Sequence, residues 1–244
     1  MCVALHKPSG VPLPSLETLY SCWQTNPDGA GICYPSAYKR GKVLICKGIM
    51  SWDDFEKAYK EHGLETMEAI PLLIHFRIAT SGLVDGGNTH PFPVKKSMKE
   101  LRHTLQFSDY ALVHNGVLRL KPENAFISDT MQFVANLARC GGNIAGKFLK
   151  MDGNIDGGRM ALMDGEGKVC RLGDWIDCDG VFYSNDIWQL NEYDQSWAMD
   201  MMYEDYAEMY PEGDGPPIDE FAEEWLEMND WVFEPNPYQW DNYR

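Results

Sequence analysis

Eight short apolar runs, spaced by turn residues, dominate the first 190 positions and leave room for few helices. They read CVALHK, AGICYP, KVLICKG, PLLIHFRIAT, DYALVHNGVL, GRMALMD, KVCRL and GVFYSN. Several are continuously apolar rather than alternating, the pattern of strands covered on both faces. MDGEGKV, with Asp164-Gly165 and Gly167 between two β-like runs, reads as a hairpin turn. Two helices interrupt the runs. Ser51 caps WDDFEKAYKEH, with acids in the first turn and Gly63 at the end; Ser128 or Asp129 starts TMQFVANLARC, which Gly141-Gly142 terminates. No strand–helix alternation persists and no repeat is visible. The pattern predicts an α+β fold of two stacked antiparallel sheets flanked by helices.

The 244 residues suffice for one domain with an appendage and a sizeable core. No apolar run approaches the roughly 18 residues of a membrane span, and Pro8, Pro12 and Pro14 leave no room for a secretory h-region. Seven cysteines, an odd count without a C-x-x-C pair, argue against a disulfide framework and a zinc ribbon. Cys33, Cys46 and Cys170 lie inside apolar runs and read as buried small hydrophobes. The expected setting is the reducing cytosol.

Charge divides the chain. Residues 191–244 hold 16 of the 37 acids and one base, Arg244, so the net charge of −16 resides almost wholly there. The first 190 residues carry 21 acids and 20 bases, with no electrostatic footprint for nucleic acid. The two segments are therefore read as a body, 1–190, and an acidic extension, 191–244. That extension also holds 12 aromatic residues, unlike a disordered acidic tail. Within IDEFAEEWLEMNDWVF, Ile218, Phe221, Ala222, Trp225 and Leu226 share one helical face, and Asp219, Glu220, Glu223, Glu224 and Glu227 line the other. Such a helix either packs on the body or docks a basic partner surface.

Chemistry concentrates in four stretches of the body: NPDGAGICY, HFRIATSG with NTHPFPV, VHNGVL, and SDT. Each alone has an ordinary reading. An Asn-Gly pair favours a turn, Asp129 suits a helix start, and Arg77 could pair with any acid. They follow an opening MCVALHKPSG, in which Met1 precedes a small residue. Removal of Met1 would leave Cys2 with both a thiol and a free α-amine. Cys2 and His6 share one face of a strand, but no further ligand pair is apparent, so no metal site is expected. DGGN and GNIDGG fit no phosphate-loop spacing and read as loops.

Together these stretches resemble the class II glutamine amidotransferases of the N-terminal nucleophile hydrolases, nearest to their small stand-alone members. The likeness runs from Cys2 through Ser184-Asn185-Asp186. It implies a four-layer αββα sandwich of two antiparallel sheets. It also implies a glutaminase that hydrolyses glutamine to glutamate and ammonia without a cofactor. Cys2 would attack the carboxamide carbon with its own α-amine as general base, an amine of pKa about 7.7–8.0 being partly deprotonated near neutrality. Asn115 and the Gly116 backbone N–H match the oxyanion donors, each such donor being worth on the order of 100- to 1,000-fold in rate. Arg77 matches the fork that grips the α-carboxylate, and Asp129 the acid that holds the α-ammonium. Thr80 and His90 match further pocket residues.

Two positions depart from the common pattern: Val3-Ala4 follows Cys2 in place of Gly-Ile, and Ser81 stands where many relatives carry histidine. The chain has no room for a fused synthase, so ammonia would pass to a separate partner docked through 191–244. Two alternatives stay open. One is a stand-alone γ-glutamyl amide or peptide hydrolase; the other is an inactive scaffold acting through its acidic extension.

Overall fold

The structure is a computed structural model that describes residues 2–151 and 158–189, together with ten positions between 202 and 225. It is α+β, with two antiparallel sheets. In chain order the elements are β1 Val3–Lys7, α1 Leu16–Thr25, β2 Ala30–Pro35, β3 Val43–Ile49, α2 Trp52–Glu61 and β4 Leu72–Phe76. There follow β5 Phe92–Pro93, α3 Met98–Leu101, β6 Leu105–Ser108, β7 Tyr110–Asn115, α4 Asp129–Cys140 and α5 Ile144–Leu149. The last strands are β8 Arg159–Asp164, β9 Val169–Leu172, β10 Ile176–Cys178 and β11 Val181–Tyr183. The larger sheet has the order β10-β11-β1-β4-β2-β3-β6, the smaller β5-β7-β8-β9.

Strand parity assigns each side chain to a core. In β1 and β4 the residues Val3, Leu5, Leu72, Ile74 and Phe76 pack with Leu19 and Trp23 of α1 and Phe55 and Tyr59 of α2. Their neighbours Ala4 and Leu73 turn the other way, against Ala111 and Val113 of β7 and Ala161 and Met163 of β8. Leu112 and Leu162 then face Met131, Val134 and Leu137 of α4. Burial on both faces explains why these strands read as continuous apolar runs. The inner core between the sheets uses several small residues, among them Ala4, Ala111 and Ala161.

Both helices expected from sequence are present, with Ser51 accepting from Asp54 N–H and Ser128 from Met131 N–H. β8 and β9 pair across the predicted hairpin. α1, α3, α5, β5, β6 and β10 were not expected. Cys33 is buried as predicted from its run, whereas Cys46 and Cys170 are only partly covered, because each lies at the margin of a helix-facing core. None of the seven cysteines is joined in a disulfide.

The chain forms two compact units, Met1–Trp188 and Gln189–Arg244. In the second, Met202, Phe221 and Trp225 are buried together, with Tyr206 and Tyr210 against them. The other apolar and acidic positions of the helix expected over 218–227 lie outside the described residues, as do residues 153–157 of GNIDGG. No helix among the described residues is long and apolar enough to cross a membrane.

Candidate active site

Register fixes the first element of the site. Val3 pairs with Phe76 and Ala4 with His75, so the same ladder carried one step further sets Cys2 beside Arg77. The Cys2 thiol donates to Ile78 O at 3.3 Å and Sγ accepts Ile78 N–H at 3.4 Å. Burial raises the thiol pKa, and the Ile78 contact and the Arg77 charge only partly offset it. Near neutrality Cys2 is therefore a thiol, which needs a base before it can attack.

Arg77 follows β4 and is buried, with Nη1 donating to Leu83 O at 3.0 Å and Nη2 to Ser81 O at 2.8 Å. These contacts use two of its five N–H donors and curl the 78–83 loop around it. Burial lowers its pKa, and Cys2, Asp28, Asp85 and Asp129 oppose that shift. Ser81 Oγ accepts Asp129 N–H at 3.1 Å, which ties the loop to the start of α4. Asp129 sits in the first turn of that helix, where a carboxylate is favoured. Its Oδ2 accepts Leu118 N–H at 2.8 Å and its Oδ1 accepts Thr130 N–H at 2.6 Å. Thr80 lies exposed on the rim.

A chain of histidines lies beneath. His75 Nε2 is 3.0 Å from His114 O, and His90 Nδ1 is 2.9 Å from His75 Nε2. A carbonyl can only accept, so His75 carries its proton on Nε2, and that single hydrogen is shared between His114 O and His90 Nδ1, which also accepts. His90 Nε2 then bears hydrogen and has no partner among the described residues. His114 Nδ1 meets Thr130 Oγ1 at 2.9 Å. Burial holds these rings neutral, pushing His75 down to about 3, His114 to about 4 and His90 well below the usual histidine value.

Parity on β7 sends His114 toward α4 and Asn115 toward the larger sheet. Asn115 Nδ2 lies 3.1 Å from Ser184 Oγ, just beyond β11. Gly116 has φ 136°, and a methyl there would come within 2.9 Å of Gly158 Cα and 3.0 Å of His114 Nε2. The chain can pass this point only as glycine.

Six of the seven residues singled out from sequence, Cys2, Arg77, Thr80, His90, Gly116 and Asp129, line one cleft. It is narrow, with an enclosed volume of about 20 Å³. Asn115 is not among the lining residues; its carboxamide is turned to Ser184. His114, Thr130 and Ser128 also line the cleft; the first two had no role from sequence, and Ser128 had one only as a helix start. Sequence reasoning equally gave none to Ser184 and Asn185, although their Ser-Asn pair stands directly after an apolar run. Asn185 Nδ2 donates to Cys2 O at 2.8 Å. His6 does not join Cys2: it stacks on Phe182, and burial, helped by Arg171 and Lys7, lowers its pKa to about 4. Among the described residues no three His, Cys, Asp or Glu side chains are grouped to hold a metal.

The chain matches no protein-family model, and no curated protein matches it.

Proposed function

We propose that residues 1–190 are a class II glutamine amidotransferase-like domain that hydrolyses glutamine through Cys2. The observation that carries this reading is the single cleft in which a thiol, a guanidinium, a carboxylate and a positive-φ glycine meet. Arg77 and Asp129 are opposite charges suited to the two ends of an amino-acid zwitterion, and three N–H groups of Arg77 remain for a carboxylate. The three stacked cores, helix on sheet, sheet on sheet and sheet on helix, support a four-layer αββα N-terminal nucleophile fold.

The chemistry needs Cys2 to bear a free α-amine. That amine takes the thiol proton as Sγ bonds the carboxamide carbon, and the oxyanion formed is met by Gly116 N–H and the Asn115 amide. Collapse breaks the C–N bond, and ammonia leaves with the proton held by the α-ammonium. Water then cleaves the thioester, releasing glutamate and restoring the thiol. Seven cysteines without a disulfide support a reducing, cytosolic setting, and the acidic, aromatic 191–244 extension is the segment offered to an ammonia-accepting synthase.

The test is intact mass before and after exposure to 6-diazo-5-oxo-L-norleucine, with Cys2→Ala alongside. The expected result is a wild-type chain lacking Met1 that gains one adduct, which Cys2→Ala does not. A chain with a free Cys2 amine that gains no adduct and releases no glutamate from glutamine overturns the reading.

A further inference from the structure

Ser184 bridges the two halves of the site, and its hydrogen bonding leaves two groups unaccounted for. Its Oγ accepts Ala4 N–H at 2.8 Å, two residues from the nucleophile, and lies 3.1 Å from Asn115 Nδ2 on the opposite sheet. With the Asn115 nitrogen on that side, Ser184 receives two N–H groups and its own proton has no acceptor among the described residues. At the same time Asn115 Oδ1 is buried, also without a partner among them. Asn115 as a whole is 1 % exposed, so water cannot freely supply what is missing.

One rotation resolves both. Turning the carboxamide by half a turn about its last bond sets Oδ1 against Ser184 Oγ–H and moves the NH₂ to where the orphaned oxygen stood. The first link is fixed, since a backbone N–H can only donate and Ala4 donates to Ser184; the serine's own hydrogen is then the one left to donate to Asn115. Oxygen and nitrogen of a carboxamide have nearly the same shape, and partners alone decide between them.

We infer that Ser184 is a positioning residue that orients the Asn115 carboxamide with its NH₂ turned away from the serine, available to a developing oxyanion. The inference rests on the glutaminase reading for its catalytic meaning. Asn185 adds the complementary hold through Nδ2 on Cys2 O, so consecutive residues after β11 brace the nucleophile and the oxyanion donor. Ser184 acts through Asn115 and touches no substrate itself.

Two measurements on the full chain test it. Neutron diffraction from crystals exchanged into D₂O should find the Ser184 deuteron directed at Asn115, with both amide deuterons on the far side. Amide deuterons facing Ser184 overturn the proposal whatever the activity. In glutaminase assays Ser184→Ala should lower kcat about 10- to 100-fold with KM changed less than about threefold, and should cost nothing further in an Asn115→Ala background. Ser184→Thr, which keeps the hydroxyl, should restore kcat. Unchanged kcat in a folded Ser184→Ala protein, or losses that multiply in the double variant, overturn it. A wild-type chain that is inert toward glutamine refutes the glutaminase reading, while the neutron map still decides the orientation of Asn115.

Discussion

The Cys2 thiol and four buried histidines are held in their uncharged forms by burial, and at the residue scale that sets a pH dependence of stability. His6, His75, His90 and His114 all have pKa values lowered chiefly by desolvation, to about 4, 3 and 4 for His6, His75 and His114. In the unfolded chain a histidine binds a proton near pH 6.5, so as pH falls below that value the unfolded state takes up protons that the folded state refuses. Stability is full above about 6.5 and is lost progressively toward 4 and 3, by up to about 1.4 kcal/mol per pH unit for each group. Thermal melts at pH 7.5 and 5.5, above the carboxylate range, should show a clear drop in Tm at the lower pH. Equal values would mean the rings are solvated or charged. The same scale marks the limit of what the sequence conveys about the site. Cys2, Arg77, Gly116 and Asp129 are legible because their motifs spell a local conformation. Ser184, Thr130 and His114 act through partners 69, 1 and 16 residues away, and only the 1-residue case is local in the chain.

Elements with strong internal signals were readable, and those defined by their neighbours were not. Ser51 with Asp53 and Asp54 announces α2, and Ser128 announces α4. α1 carries Thr18, Ser21, Cys22 and Trp23, poor helix formers, and is held by Leu19, Cys22 and Trp23 in the core rather than by propensity. β6 and β10 are short edge strands with half-exposed residues, and β5 is two residues of which one is proline, at the edge of its sheet. None of these presents a period. Close approach is likewise silent in a linear pattern. Gly31 on β2 lies so near the loop before β5 that a methyl would overlap the His90 carbonyl oxygen and reach within 2.7 Å of Lys47 Cβ. Gly31→Ala should therefore cost about 3 kcal/mol or more, read as a lowered denaturation midpoint at unchanged m-value. A loss below about 0.5 kcal/mol would show that β2 and this loop part easily.

At the scale of the whole molecule the chain separates a nearly neutral body from an extension that holds almost all the net charge, and the two compact units divide close to that point. The three apolar cores of the body are built from residues before 189. A chain ending at residue 190 should keep its cooperative melt and its reaction at Cys2, while losing capture of any basic protein partner. Loss of the Cys2 reaction on truncation would instead make the extension part of the reactive unit. The placement of β1 carries a further consequence, one of timing. It is the first strand synthesised, yet one of its neighbours in the sheet is β11, and Ala4 waits for a hydroxyl 180 residues downstream. At about 5–20 residues per second, that hydroxyl is made roughly 10–40 s after Ala4. One border of β1 thus stays unmade until nearly the whole body has been synthesised, so the sheet closes around its earliest strand last.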